Sequence, residues 1–211
     1  CNPHNPVGKS WDRETLERIG ELCFKHHVLV LSDEIHCDIT RPGMEYIPFA
    51  SVSEHCKNNS ITCVAPTKTF NLAGLQTAAV IVPDAALRHR VNRGLNTDEV
   101  AEPNVFAAIA PIAAFDRGRE WLEELREYLW ENRKFAEDFI REEIPELRTV
   151  SADATYLLWI DCNALPGDLS ELAEFIRKES GLYVCDGREY GNGYGFLRMN
   201  LACRRELLKE G

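Results

Sequence analysis

Three short apolar runs constrain this chain more than any other feature: Val28 to Leu31, Ile61 to Ala65 and Ala78 to Val82. None alternates, Thr62 being the one polar residue within them, and each is closed by polar or turn-forming residues, in SDE, PTK and PD. Alternation marks a strand with one wet face, whereas a short continuous run marks a strand covered on both faces of a parallel sheet. With a helix or a long connection between the runs, the pattern predicts an α/β layer with right-handed crossovers. One helix is legible just upstream, where Leu16, Ile19, Leu22 and Cys23 recur at helical spacing behind Asp12, a suitable N-cap.

Past Asp84 the character changes. From Asn104 to Glu143 Gly and Pro are nearly absent, and Trp121, Leu125, Leu129, Asn132 and Ala136 recur every three or four residues opposite a face of Glu and Arg. That is the pattern of a long amphipathic helix, stopped by Pro145 and able to join two domains. The remainder predicts a strand at 155–161, a helix at 169–179, a short strand at 182–185, a turn at GNGYG and a final strand, FLRMNLA. The expected organisation is a mostly parallel α/β domain over 1–103, a helical connection over 104–145 and a smaller α+β domain over 146–211.

A chain of 211 residues can bury a substantial core. Its formal charge of −10 repels phosphate backbones, so nucleic acid is not an expected partner. No apolar run approaches the roughly 18 residues that span a membrane. The eight cysteines form no C-x-x-C pair and no metal-ligand spacing, so reduced thiols, a cytoplasmic location and no metal are expected. Cys185, in LYVCDG, reads as a small buried hydrophobe. The opening CNPHNPVG is a turn without a methionine, as expected of a piece of something longer.

Chemistry concentrates at the strand ends. In open parallel sheets ligands bind beyond the C-terminal ends of strands, which places Asp33 and the pair Thr67, Lys68 on one rim. Lys68 is either a solvated charge or a partly desolvated amine able to form a Schiff base or act as a general base. Asp33 is either a cap or salt-bridge partner, or a carboxylate that holds a proton on a heteroaromatic nitrogen. His36 is either a satisfied histidine or a group that donates to or stacks on the same ring. Asn5 is either a turn residue or an amide for a ligand oxygen.

Taken together, HNPVG (His4 to Gly8), SDEIH (Ser32 to His36) and APTKTFNLAGL (Ala65 to Leu75) resemble the fold-type-I pyridoxal-phosphate enzymes of the class I/II aminotransferase group. The resemblance is to their MalY/PatB branch, the cystathionine β-lyase-like C–S lyases. The order and separation agree, with 28 residues from Asn5 to Asp33 and 35 from Asp33 to Lys68. The segment FLRMNLACRRELL (Phe196 to Leu208) is similar to the branch's C-terminal carboxylate-binding segment.

The resemblance implies a pyridoxal 5'-phosphate cofactor held covalently by Lys68, which would also shuttle the substrate's α-proton. Asp33 would keep the pyridine nitrogen protonated, Asn5 would hydrogen-bond the ring oxygen, and His36 would stand where many aminotransferases have a tyrosine. Thr67 would serve the phosphate. Arg198 would clamp the substrate α-carboxylate, unless it is a cross-strand ion pair. The branch further implies the C-terminal portion of a partial large domain joined by a long helix to a small α+β domain, a homodimer, and a small amino-acid substrate. The implied reaction is β-elimination from a cysteine thioether. An aminotransferase reaction on the same lysine, or a non-catalytic fragment or regulatory module, are the alternatives. Gln76 stands near the place where many relatives carry a phosphate-binding arginine, and the phosphate cradle of the N-terminal portion would lie outside this chain, so the isolated chain is expected to be inactive.

Overall fold

Asp12 starts the first helix, α1 (Arg13–Lys25), as its position predicts: its carboxylate accepts from the Thr15 amide at 2.8 Å and from the Thr15 hydroxyl at 2.9 Å. In the computed structural model, which describes residues 1–211, the chain forms two units. One comprises Cys1–Pro3 and Ser10–Glu124, the other His4–Lys9 and Leu125–Gly211.

In the first unit, β1 (Val30–Asp33) and β2 (Ser60–Val64) pair in parallel, with Asp33 opposite Cys63, and α2 (Glu54–Asn58) precedes β2. Leu16 of α1 joins Phe49 and Cys56 in a small core that Val30 packs against. Two differences from expectation appear here. The third strand, β3 (Ala79–Ile81), runs antiparallel to β2. Instead of a crossover helix, the connection folds into the short α3 (Pro66–Thr69) and a 3-10 turn at Ala73–Leu75, and the chain turns back. Nor are the strands covered on both faces: Leu31 is 66% and Ile81 48% exposed. Successive strand residues point to opposite sides, so Val30 and Ser32 turn to the core while Leu31 and Asp33 stay in solvent.

After α4 (Ala85–Thr97), the single helix expected from Asn104 to Glu143 is two, α5 (Phe106–Arg117) and α6 (Arg119–Glu143). Gly118 makes the break. A Cβ there would lie 2.6 Å from the Phe70 ring. Phe70 meets Phe115 edge-on at 5.2 Å and stacks on Trp121 at 5.8 Å, so the ring fills the place a continuous helix with side chains would need.

The second unit is built on α6 from Leu125 onward and an antiparallel sheet in the order β4-β5-β7-β6, comprising β4 (Arg148–Thr149), β5 (Leu157–Asp161), β6 (Cys185–Asp186) and β7 (Phe196–Asn200). Between β5 and β6 lies α7 (Leu172–Ser180), and α8 (Arg205–Glu210) closes the chain. Ala136 and Ile140 of α6 pack with Leu158, Ile160, Leu197 and Leu201. Buried beside them, Asn132 donates to the carbonyls of Leu201 and Cys203, both at 2.9 Å, and accepts from Arg205 Nε at 2.6 Å. No helix is long and apolar enough to cross a membrane, and all eight cysteines are free.

Candidate active site

The parallel pairing of β1 and β2 puts their C-terminal ends side by side, and the residues of interest in the first unit follow from that. Asp33 is the last residue of β1. Its backbone carbonyl accepts from the Asn2 amide at 2.9 Å, and its carboxylate accepts from the Ile35 amide at 3.2 Å in a local turn. It forms no ion pair, and its side chain lies on the solvent side of the strand. Beyond β2, Pro66 at the first position of α3 suits the fixed φ of proline, and Thr67 and Lys68 follow within the same short helix. Asp33, Thr67 and Lys68 therefore share one sheet rim. Thr67 is half-buried and Lys68 exposed. His36 is buried.

Behind this rim a second polar set is built in. Glu34, 2% exposed, accepts from the Ser32 hydroxyl at 2.9 Å and from the Phe49 amide at 3.0 Å. Thr69, fully buried, donates to Asp38 at 2.9 Å. These bonds tie the loops after both strands to the body of the unit. Burial, with Asp38 and Glu34 nearby, pushes the Cys37 thiol up to about 12, so it is a protonated filler rather than a nucleophile.

In the second unit the sequence expectations concern Asn5 and Arg198, and these two touch. The turn holding Asn5 is closed by the Gly8 amide donating to the His4 carbonyl at 2.6 Å. The Gly8 carbonyl accepts in turn from the amides of Asp153 and Ala154 at 2.8 and 2.9 Å. Arg198 lies on β7, directly opposite Trp159 on β5 and Cys185 on β6. Its Nη1 donates to Asn5 Oδ1 at 3.2 Å, its Nη2 donates to Cys185 Sγ at 3.3 Å, and its guanidinium sits over the Tyr190 ring at 4.5 Å. No carboxylate pairs with it. An amide, a thiol and an aromatic face hold the cation while leaving its charge uncompensated and its remaining N–H groups able to donate.

Arginine has only donors, so Asn5 must turn its oxygen to Arg198 and is left with its NH2 as a free donor. Neither Cys185 nor Tyr190 is singled out by residue type or spacing. The signal that finds them is the antiparallel register across the GNGYG turn, which brings Cys185 opposite Arg198.

The whole chain, residues 1–211, matches the family described as Aminotransferase class I and II. It is 42% identical, over all of its length, to cystathionine beta-lyase PatB of Bacillus subtilis, covering 55% of that protein. To the protein MalY of Escherichia coli it is 33% identical over all of its length, covering 54% of it. Among solved structures, cystalysin from Treponema denticola, which contains a pyridoxal 5'-phosphate cofactor, superposes with a TM-score of 0.90 at 31% identity, again with this chain covered completely and 54% of that one. The chain thus spans about half the length of the curated relatives it matches.

Proposed function

Because this chain belongs to the class I and II aminotransferase family, we propose that it forms part of a pyridoxal-phosphate-dependent C–S β-lyase acting on cysteine thioethers such as cystathionine. The likeness to PatB and MalY supports the lyase reading. The observation that carries it is Arg198, a half-buried guanidinium whose partners are all neutral, as a binder of an amino acid's α-carboxylate requires.

The residues fit the cofactor on their own chemistry. Asn5, with its oxygen committed to Arg198, offers an N–H suited to the ring's phenolic oxygen. Asp33, unpaired at the strand end, offers a carboxylate suited to the protonated ring nitrogen. Thr67 offers a hydroxyl to the phosphate and Lys68 a primary amine to the aldehyde. His36 supports the ring as a further donor. When bound, pyridoxal 5'-phosphate supplies the aldehyde that links to amines and the ring that takes up the electron pair left at the substrate Cα.

In the proposed reaction Arg198 fixes the substrate carboxylate through two parallel N–H···O bonds, and so orients the Cα–H bond. Lys68 removes the α-proton to its Nζ, and the Asp33 carboxylate holds the opposing proton on the ring nitrogen. The Cβ–S bond then breaks with its electron pair leaving on sulfur, and hydrolysis of the remaining three-carbon fragment gives pyruvate and ammonia. Eight free cysteines support a reducing, cytoplasmic compartment. A second copy of the protein is the proposed partner, with the exposed apolar residues of α5, Phe106, Ile109 and Ile112 among them, as available surface.

The test is incubation of the full-length protein with cystathionine and no keto acid. Pyruvate should appear at a steady rate, and Lys68→Ala should abolish both this and the visible absorbance of the bound cofactor. A strict requirement for an added keto acid would replace the lyase reading with an aminotransferase.

A further inference from the structure

Arg198 stands at one end of an aromatic ladder. Phe196 and Trp159 stack face to face, with centroids 5.2 Å apart and planes 8° apart. Trp159, directly across from Arg198 on the neighbouring strand and 7% exposed, meets Tyr190 edge-on at 5.9 Å and 88°. Tyr190 then presents its face to the guanidinium at 4.5 Å. The ring is delivered by a 3-10 turn, Gly187–Tyr190, which lies hard against β7: a Cβ on Gly187 would fall 2.6 Å from the Phe196 carbonyl oxygen and 2.9 Å from its Cβ. Only glycine permits that approach.

Cys185, the cross-strand neighbour of Arg198, takes an N–H from it at 3.3 Å. Burial first, and the neighbouring Cys185 second, push the Tyr190 hydroxyl up to about 12, so the ring stays uncharged throughout the working range of pH. A flexible arginine on a strand would lose several rotamers on binding a carboxylate; one already held by a ring face and a sulfur has lost them beforehand.

We infer that Tyr190 and Cys185 together form a holder that presets the plane of Arg198, making them positioning residues for the substrate carboxylate, on which affinity for the free amino acid depends. This rests on the reading of Arg198 as the carboxylate clamp. The holder acts on binding that is shared by ground and transition states, so its loss raises KM more than it lowers kcat.

The experiment compares Tyr190→Leu, Tyr190→Phe, Cys185→Ala and Arg198→Ala in the full-length protein, with calorimetric binding of propionate and of propionamide, its uncharged counterpart. Melting temperatures check that each variant folds. Tyr190→Leu should weaken propionate about five- to tenfold, the size of a partly desolvated cation–π contact, without changing propionamide binding. Tyr190→Phe, which keeps the face, should restore affinity to within about threefold, and Cys185→Ala should lose about two- to threefold. With a thioether substrate the same losses should appear in KM, with kcat held within about twofold. Unchanged propionate affinity in Tyr190→Leu, while Arg198→Ala loses it, would overturn the holder and leave the clamp standing. Should Tyr190→Leu fail to fold, unchanged affinity in Cys185→Ala would overturn it instead. Full affinity in Arg198→Ala would remove the clamp and the holder with it.

Discussion

Asn132→Ala should unravel the second unit from the inside, and its cost can be worked from three bonds. Asn132 and Leu201 are both fully buried, so the Leu201 carbonyl, left without its donor at 2.9 Å, cannot be rehydrated. A buried polar group left unpaired costs about 1–3 kcal/mol. The Cys203 carbonyl, also 2.9 Å away, belongs to a half-buried residue and regains water, at a cost of about 1 kcal/mol. Arg205, whose side chain is 26% exposed, loses its bond to the Asn132 oxygen but keeps a neighbour in Glu131 at 3.7 Å and contact with water, so it adds little. The sum is about 3 kcal/mol, a shift of about 1.5 M in the urea midpoint at a slope of about 2 kcal/mol per molar. Unfolding followed by near-ultraviolet dichroism measures it. Glu131→Gln is the control: that carboxylate is 73% exposed and should move stability by less than about 0.5 kcal/mol. A loss below about 1 kcal/mol in Asn132→Ala would refute the reasoning, because it would mean that the Leu201 carbonyl finds another donor.

Gly118→Ala drives a methyl into the Phe70 ring and should lower stability by about 1–3 kcal/mol in a thermal melt, whereas a better helix former with no such contact would raise it. Asp33→Asn in the full-length protein should cut kcat on cystathionine on the order of 10²–10³-fold while cofactor stays bound, measured by pyruvate release. The thiols of Cys37 and Cys162 stand at about 12 and about 11, both chiefly through burial, against an ordinary value near 9. The folded protein therefore keeps protons that the unfolded chain releases. The stability this contributes is present in full below about pH 9 and is lost as pH rises through 11 and 12. Iodoacetamide at pH 8 should label the exposed Cys1 well before Cys37 or Cys162, as peptide mapping would record.

Local signals wrote the first helix into the sequence, since a cap and a 3.6-residue apolar period need no distant partner. Strand ends were less legible. The apolar run stops at Leu31, but the ladder continues through Ser32 and Asp33 because their partners on β2 are in register, and register is a property of two segments. The break at Gly118 was hidden for the same reason: it depends on Phe70, far away in the chain. Of the candidate site, Asp33, Thr67 and Lys68 could be grouped from strand ends alone. The surroundings of Arg198 could not, since Cys185 reaches it through hairpin pairing and Asn5 across 193 positions.

That last separation bears on how the protein is made. Asn5 leaves the ribosome well before the groups it needs, the amides of Asp153 and Ala154 that hold its turn and the guanidinium of Arg198. At about 5–20 residues per second, the 193 positions between Asn5 and Arg198 take roughly 10–40 s to translate. When Glu124 has emerged, the loop bearing the asparagine is still waiting for the strand that carries Arg198.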